Sequence, residues 1–179
     1  MRAESSGSGE DEARRASRDF FEALERGAAG GSPRKIVFAE SCTGGLLSAL
    51  FTDIPGSSEF LWGGFVVYSV AAKVALLGLD PSQIERDGVV STATAAAMAR
   101  GALERSGADL AVAVTGYAGP AVDPGEERPG RVAFGWAGKE RTETAERRFP
   151  GSRGEIRCAA AAWAYRGALK LLDDIDARY

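Results

Sequence analysis

The spacing of apolar residues along the chain predicts three long amphipathic helices. The first spans residues 11–26, where apolar side chains recur every three to four positions. The second begins after the N-cap Ser91 and ends at Gly107, because serine caps helix starts and glycine favours helix ends. The third begins after Pro150 or Gly151. Its predicted buried stripe has helical spacing and consists of Ile156, Ala160, Trp163, Gly167 and Leu171.

Three shorter helices and five strands complete the pattern. The helices are predicted over 46–51, over 70–77 and from Asp80-Pro81 onward, where proline occupies the favoured first turn. Short β-branched and aromatic runs predict the strands, which cover 35–39, 65–68, 110–114, 132–138 and 142–149. The last two strands follow each other closely and form a hairpin. Helices that alternate with strands indicate an α/β class, and the hairpin makes the predicted sheet mixed rather than purely parallel.

The length of the chain bounds its domain organisation. Its 179 residues and 18.7 kDa suit one domain. Residues 1–10 are mostly serine, glycine and charged side chains, a composition that cannot form a core. We therefore expect a disordered tail over 1–10 and a single domain over 11–179.

The absence of histidine removes several kinds of active site. Ser-His-Asp and Cys-His catalysis both require an imidazole base, and many metal sites require imidazole ligands. The net charge of −3 and the isoelectric point near 5.2 argue against a broad nucleic-acid-binding surface. A nucleophilic serine in this chain must therefore take its base from lysine, tyrosine or a carboxylate.

The cysteines and the apolar runs predict a location. Cys42 and Cys158 form no CxxC pair, so no zinc or iron–sulfur site is expected, and two unpaired thiols fit a reducing compartment. The first residues lack the apolar core of a signal peptide, and no apolar run approaches the ~18 residues of a membrane span. We expect a cytoplasmic protein that does not bind membranes.

The first candidate site is the turn 41–45 (SCTGG) between a strand and a helix. Its amides point out along the positive end of the helix dipole, and its glycines allow a ligand to approach the backbone. Such a turn can hold a phosphate, or it can stabilise an oxyanion beside the Ser41 hydroxyl. Alternatively, Ser41 and Thr43 are helix caps, and the glycines only shape the turn.

Tyr68 and Lys73 are candidates for the base that a nucleophilic serine needs. Lys73 lies in the otherwise apolar stretch VAAKVALLG. A desolvated lysine accepts a proton near neutrality once its pKa has fallen by about 3 units. The alternative is a surface lysine whose ammonium group reaches water.

Two further segments are candidates for ligand contacts. The segment 115–120 (TGYAGP) follows a buried strand, where loops line the ligand crevice of an open α/β sheet, or it is an ordinary turn. Arg153 and Arg157 lie four residues apart at the start of the last helix. They either hold a phosphate or are solvated.

Four segments, taken together, resemble one known family. They are AESCTGG at 39–45, DIPGSS at 53–58, GGFVVYSVAAKVALLG at 63–78 and AVTGYAGP at 113–120. They resemble the C-terminal domain of the competence/damage-inducible protein CinA, with similarity from about residue 34 to 165. Members of that family act as nicotinamide mononucleotide deamidases. The resemblance implies a three-layer α/β/α sandwich that hydrolyses the carboxamide of this pyridine nucleotide to nicotinate mononucleotide and ammonia. It implies no metal and no organic cofactor, and it is consistent with a homo-oligomer.

The resemblance also implies roles for individual residues. The family's catalytic serine, tyrosine and lysine correspond to Ser41, Tyr68 and Lys73. Ser41 would attack the carboxamide carbon, and Lys73, directly or through Tyr68, would accept its proton. The expected substrate-binding residues are Cys42, Thr43, Gly44, Gly45, Thr115, Gly116, Gly119 and Arg153. Among them, the amides of 42–45 would stabilise an oxyanion, and Arg153 would pair with the 5′-phosphate.

The chain departs from the family pattern in three places. Val70 stands where the family has a polar residue, Ser152 replaces an acidic residue, and AVDPGEERPGRV at 121–132 replaces a glycine-rich stretch and a Lys-Pro-Val-Gly turn. These departures support an alternative, a catalytically inactive nucleotide-binding module of the same fold. A weaker alternative makes Cys42 the nucleophile.

Overall fold

The computed structural model describes residues 6–29, 32–120 and 129–176. Within these ranges the helices are α1 (Ser6–Ala28), α2 (Leu46–Thr52), α3 (Val70–Leu77), α4 (Pro81–Asp87), α5 (Thr92–Ser106) and α6 (Arg153–Asp176), and a 3-10 turn covers Ser57–Glu59. The strands are β1 (Ile36–Glu40), β2 (Leu61–Val66), β3 (Leu110–Gly116), β4 (Arg131–Gly138) and β5 (Thr142–Arg148). Among the described residues, no helix has the length and apolar character needed to cross a membrane.

The strands form one sheet in the order β2-β1-β3-β4-β5. Strand β1 pairs in parallel with β2 on one side and with β3 on the other, whereas β4 is antiparallel to both β3 and β5. Helices α1, α2 and α6 cover one face of the sheet, and α3, α4 and α5 cover the other. The predicted three-layer α/β/α sandwich with a mixed central sheet is confirmed.

Strand β1 lies at the centre of both cores because successive side chains point to opposite faces of a sheet. Ile36 and Phe38 pack in the core formed with α1, α2 and α6, and Val37 and Ala39 pack in the other core. All four side chains are fully buried. A strand buried on both faces reads as a continuous apolar run, which is why its position is evident in the sequence.

Helix α5 packs close to the sheet because the facing side chains are small. Ala111 and Ala113 of β3 face this helix, and both are fully buried. Gly135 of β4 marks a close approach, since a Cβ atom there would lie 2.3 Å from the carbonyl oxygen of Ala95. Only glycine fits at this position without moving the helix.

Helix α1 already includes residues 6–10, which the sequence pattern assigns to a disordered tail. Residues 1–5 lie outside the described part of the chain. Glu10 forms an ion pair of 2.7 Å with Arg14 one turn later, and Arg14 also contacts Asp53 beyond α2. The Glu10–Arg14 pair supports the first turns of a helix that the serine and glycine residues of this segment favour poorly.

Strand β2 covers Leu61–Val66 and not the predicted 65–68. Two glycines in its middle hide the strand from a propensity argument, because glycine is depleted in strands. A Cβ atom on Gly64 would lie 2.4 Å from Ser48 Oγ on α2, so a larger residue there would displace this hydroxyl from Glu40. The chain leaves the strand at Val67, and Tyr68 therefore belongs to the loop before α3.

The predicted buried stripe of α6 is correct except at Trp163 and Gly167, which are both half-buried. The Arg147 guanidinium carbon lies 4.0 Å from the centroid of the Trp163 ring. Strand β5 lies at the edge of the sheet, and its Arg147 side chain covers the Trp163 ring through a cation–π contact.

The predicted loop over 121–130 lies mostly outside the described residues. Its last two positions, Pro129 and Gly130, lead into β4. Gly130 N donates to the carbonyl of Tyr117 at 2.6 Å, and Phe149 N donates to the carbonyl of Gly130 at 2.9 Å. The end of this loop is therefore held against both β3 and β5.

Candidate active site

Three parallel strands bring the candidate residues to one edge of the sheet. Strands β1, β2 and β3 end there, and the loops that follow them begin at Ser41, Val67 and Tyr117. Ser41 N donates to the carbonyl of Val114 at 2.9 Å, so the first turn residue is still held by the sheet. The carboxyl ends of parallel strands are the usual place for ligands in open α/β sheets.

Lys73 contacts the hydroxyl of Ser41 directly. Its Nζ atom lies 2.9 Å from Ser41 Oγ and donates at 2.8 Å to the carbonyl oxygen of Val67. Ser69 fixes the start of α3 because its side chain accepts the Ala72 N–H, so Lys73 falls in the first turn with its side chain directed under the loop.

The Lys73 side chain is fully buried, and burial lowers its pKa from 10.5 to about 8. Desolvation disfavours the ammonium form, and no carboxylate pairs with this group among the described residues. The interpretation of Lys73 as a surface lysine is therefore wrong. Its neutral form is accessible near neutrality, which is the property a base for Ser41 needs.

Glu40 holds the start of helix α2, a role that the sequence reasoning missed. Its buried carboxylate accepts the N–H groups of Gly45 at 3.0 Å, Leu47 at 3.0 Å and Ser48 at 2.9 Å. It also accepts the Ser48 hydroxyl at 2.8 Å. The sequence signal for this role is a carboxylate, Glu40, at the end of an otherwise apolar strand and directly before the turn that precedes a helix.

The amides of the turn 41–45 are therefore not equivalent. Gly45 N–H is bonded to Glu40, and Gly44 N–H donates to the Ser41 carbonyl at 3.1 Å. Within the described chain, the N–H groups of Cys42 and Thr43 donate to no other residue. Of the four amides expected to stabilise an oxyanion, two are therefore bonded within the protein, and the other two have no acceptor in another described residue. The Glu40 carboxylate already accepts the N–H groups at the start of α2, so these groups do not hold a phosphate. Neither Ser41 nor Thr43 caps the helix with its side chain.

Cys42 is buried against the sheet. Its Sγ atom lies 3.1 Å from the position that a Cβ atom on Gly116 would occupy, so only glycine at 116 leaves room for it. Burial raises the pKa of the Cys42 thiol to about 12. The thiolate that a cysteine nucleophile requires is therefore disfavoured, and the observed geometry favours Ser41 over Cys42.

Tyr68 and Arg153 contact each other at the same edge of the sheet. Arg153 Nη2 donates to the Tyr68 hydroxyl at 3.0 Å, and Arg153 Nη1 donates to the Gly119 carbonyl at 2.9 Å. The Tyr68 side chain is 62% exposed and makes no hydrogen bond to Ser41 or Lys73 among the described contacts. The proton therefore needs no relay through Tyr68, because Lys73 touches Ser41 itself.

Arg157 lies one helical turn after Arg153 and has a different partner. Its Nη2 atom donates to the Thr43 carbonyl at 2.6 Å, which ties the turn to the first turns of α6. The Thr43 hydroxyl is fully buried and has no hydrogen-bond partner within the described residues. Of the two arginines, Arg157 thus holds the backbone of the turn, and Arg153 is exposed and contacts Tyr68 and Gly119.

Thr115 and Gly116, expected to line the substrate pocket, have packing partners instead. The Thr115 hydroxyl is buried and donates to the Val89 carbonyl at 3.0 Å, which ties the end of β3 to the loop before α5. Gly116 makes room for Cys42. Of the residues expected in the 115–120 segment, Gly119 is the one whose backbone reaches Arg153.

A cavity of about 250 Å³ at the opposite end of the sheet contains none of the candidate residues. Its walls include Asp109 at the start of β3 and Lys139 in the β4–β5 turn, which form an ion pair of 2.8 Å. Arg141, also in the wall, contacts Asp174 at 3.2 Å. Charges that are already paired offer little to a ligand. Among the described residues, no cluster of three or more cysteine, aspartate or glutamate side chains is arranged to hold a metal ion.

The sequence model of the CinA C-terminal domain matches residues 26–172, which include every element of the site. This chain belongs to the CinA C-terminal domain family. The expected resemblance is confirmed over more of the chain than the quoted segments cover.

Curated relatives of the chain fall into two groups by length. A CinA-like protein of Mycobacterium marinum is 52% identical over 125 residues, which are 69% of this chain and 29% of that protein. A nicotinamide-nucleotide amidohydrolase PncC of Enterobacter agglomerans is 46% identical over 136 residues, which are 75% of this chain and 83% of that protein. The chain thus spans about a third of the length of the CinA-like relatives and most of the length of the amidohydrolase.

Solved structures of the family share the fold. A CinA superfamily protein from Klebsiella pneumoniae superposes with a TM-score of 0.82 at 29% identity and covers 90% of this chain and 98% of its own. The competence/damage-inducible protein CihA from Agrobacterium tumefaciens gives a TM-score of 0.76 at 37% identity, over 92% of this chain and 95% of its own.

Proposed function

We propose that this protein is an amidohydrolase that converts nicotinamide mononucleotide to nicotinate mononucleotide and ammonia. The observation that carries the proposal is the buried pair of Ser41 and Lys73, whose Oγ and Nζ atoms lie 2.9 Å apart. A hydroxyl beside a desolvated amine is a nucleophile with its base already in contact. The similarity to a nicotinamide-nucleotide amidohydrolase supports the substrate.

The first half of the proposed reaction forms an ester on Ser41. Its Oγ atom attacks the carboxamide carbon while neutral Lys73 accepts the hydroxyl proton. The negative charge that develops on the carboxamide oxygen would be met by the amides of Cys42 and Thr43, the two donors of the turn that remain available. The C–N bond then breaks, Lys73 returns the proton to the leaving nitrogen, and ammonia departs.

The second half hydrolyses the ester. A water molecule attacks the acyl carbon, Lys73 accepts its proton, and the same two amides meet the second oxyanion. The C–O bond to Ser41 breaks, and Lys73 returns the proton to Oγ. The sum of the two halves is one water consumed and one ammonia and one carboxylic acid formed for each carboxamide cleaved, and the acid then loses its proton to solvent.

Recognition of the nucleotide is proposed to rest on Arg153. Its guanidinium lies at the mouth of the site and is exposed. A planar guanidinium binds a phosphate through two parallel hydrogen bonds. Its present partners, the Tyr68 hydroxyl and the Gly119 carbonyl, are neutral groups that a phosphate dianion would displace. The Tyr68 hydroxyl would then be released next to the bound substrate.

The test is ammonia release by purified protein from nicotinamide mononucleotide, with nicotinamide riboside and the dinucleotide as comparison substrates. We expect release from the mononucleotide above the level of a Lys73→Met preparation, and slower release from both comparison compounds. Tight binding of the mononucleotide without ammonia release would contradict the proposal. That result would instead favour a catalytically inactive nucleotide-binding module.

A further inference from the structure

Glu40 is fixed at both ends, and the nucleophile follows it directly in the chain. Its backbone pairs with Val66 and Val114 in the sheet, and its carbonyl accepts the Val67 N–H at 2.8 Å. Its side chain binds the first turn of α2 through Gly45 and later amides. Glu40 therefore holds both ends of the turn 41–44: its backbone fixes the end of β1, and its carboxylate fixes Gly45 at the start of α2.

We propose that Glu40 is a positioning residue that selects which backbone amides stabilise the oxyanion next to Ser41. The hydrogen bond from Gly45 N to its carboxylate closes the turn into a ring. Within that ring Gly44 N–H is used by the Ser41 carbonyl, which leaves Cys42 and Thr43. This role rests on the nucleophile of the proposed function and not on its substrate.

The charge of Glu40 is as important as its shape. Each carboxylate oxygen accepts two hydrogen bonds, so the group meets four donors and offers none of its own. A glutamine at this position would turn an NH₂ group toward amide donors on one side. The α2 amides on that side would lose their acceptor, and Gly45 would be free to swing away from the strand.

Two other roles for Glu40, stabilising α2 and acting on Lys73 through its charge, predict different results from a positioning role. If it only stabilises α2, its loss lowers the melting temperature without a specific effect on Ser41. If it acts through the field at Lys73, its loss shifts the pH at which Ser41 becomes reactive. A positioning role lowers the limiting reactivity of Ser41 and leaves that pH unchanged.

The experiment uses a probe that does not depend on the natural substrate. An alkyl fluorophosphonate phosphonylates a reactive serine: the Oγ–P bond forms, the P–F bond breaks, fluoride leaves with the electron pair, and Lys73 takes the serine proton. The anionic oxygen of that transition state needs the same backbone donors as an amide tetrahedral intermediate. The rate is followed by intact mass as the pH passes through the pKa of Lys73.

Three variants are compared with the wild type. Glu40→Gln is expected to lower the plateau rate at least ~10-fold with an unchanged inflection pH, since loss of an oxyanion donor costs about 10²–10³-fold. Ser48→Ala is the matched control, because it removes one donor to the carboxylate and leaves the turn amides bound; its rate should stay within about 3-fold. Glu40→Asp keeps the charge on a shorter side chain, and its plateau rate should lie between those of Glu40→Gln and Ser48→Ala.

The following results would overturn the inference. A folded Glu40→Gln protein with the wild-type plateau rate would show that Glu40 does not position the oxyanion amides. A shifted inflection pH with an unchanged plateau rate would show that Glu40 acts on the pKa of Lys73 instead. If Glu40→Gln does not fold, a wild-type plateau in Glu40→Asp overturns the inference in its place. Wild-type protein that is never labelled at Ser41 would also overturn it. Wild type that is labelled but releases no ammonia from the mononucleotide contradicts only the proposed substrate.

Discussion

Lys73 Nζ lies 2.9 Å from Ser41 Oγ although 32 residues separate them in the chain. The contact joins the residue after β1 to the first turn of α3, and strand β2 lies between these two elements in the chain. Because the amine is buried, desolvation favours its neutral form while it touches the hydroxyl.

Replacing Lys73 by methionine should stop the chemistry and leave the fold intact. Methionine has a similar length and suits a buried site, so we expect a folded protein whose turnover falls by ~10²-fold or more, the usual loss for a general base. Ammonia release gives the turnover, and circular dichroism gives the fold. Lys170→Met, on the exposed face of α6, is the control and should keep wild-type turnover. Near-wild-type turnover in Lys73→Met would assign the base elsewhere.

The rate should depend on pH through Lys73. The pKa of this group is about 8, and the neutral form is the one that accepts the Ser41 proton. The value of kcat/KM is therefore expected to rise tenfold per pH unit below about 8 and to level off above it. A kcat/KM profile on nicotinamide mononucleotide checks this. A profile that is flat through this range would show that Lys73 is not the group that titrates.

Stability should also rise with pH, but over the range above the pKa of about 8. The pKa of Lys73 is about 8 in the folded protein and near 10.5 in the unfolded chain, so between these values the unfolded chain binds more protons. The free energy of unfolding therefore increases as the pH rises from about 8 toward 10.5, by at most about 3 kcal/mol. Urea unfolding of wild type and Lys73→Met should show this increase only in wild type. Parallel curves for the two proteins would contradict it.

Ser41→Ala and Cys42→Ala separate the two possible nucleophiles. Loss of the Ser41 hydroxyl removes the attacking atom but leaves Lys73 bonded to the Val67 carbonyl, so a folded and inactive protein that still binds nucleotide is expected. Cys42→Ala removes a thiol whose pKa is raised to about 12, and it should keep most of its activity. Ammonia release and calorimetric binding distinguish the two. Activity that survives in Ser41→Ala and disappears in Cys42→Ala would reverse the assignment.

Arg153→Lys tests phosphate recognition. Lysine keeps the charge but loses the planar fork, so the affinity for the mononucleotide should fall measurably while that for the riboside changes much less. Titration calorimetry with both compounds gives the comparison, and Arg100→Lys on the exposed face of α5 is the control. Equal losses for both ligands would mean that Arg153 acts by holding Tyr68 and Gly119.

A pair of glycine substitutions tests the packing that supports the site. In Gly135→Ala the added Cβ would lie 2.3 Å from the Ala95 carbonyl oxygen, so the protein should lose about 1–3 kcal/mol of stability. In Gly154→Ala, in the first turn of α6, nothing lies within 4 Å of the added atom. That variant should be unchanged or more stable by up to about 1 kcal/mol. Urea unfolding of both checks this, and a similar stability for the two would contradict the close approach of α5 to β4.

The positions of most helices and strands are predictable from the sequence, and the exceptions have identifiable causes. Strand β1 reads as a strand because both of its faces are buried, and α5 is bounded by the Ser91 cap and Gly107. Strand β2 does not, because the two glycines in its middle lower its strand propensity. Helix α1 includes residues 6–10 although their serine and glycine residues do not predict it, and Glu10 pairs with Arg14 of the next turn.

The composition and the local segments of this chain determine the kinds of atoms available for chemistry: a hydroxyl, an amine and no imidazole. They also place Ser41 after a strand and Lys73 in a short apolar helix. The tertiary structure decides which of these groups meet and in what state. Burial of Lys73 and its contact with Ser41 follow from the packing of segments that are far apart in the chain. Desolvation arises only when those segments pack, and no local pattern encodes it. The contacts of Glu40 with the α2 amides span only a few residues, and the carboxylate at the end of an apolar strand was their local signal.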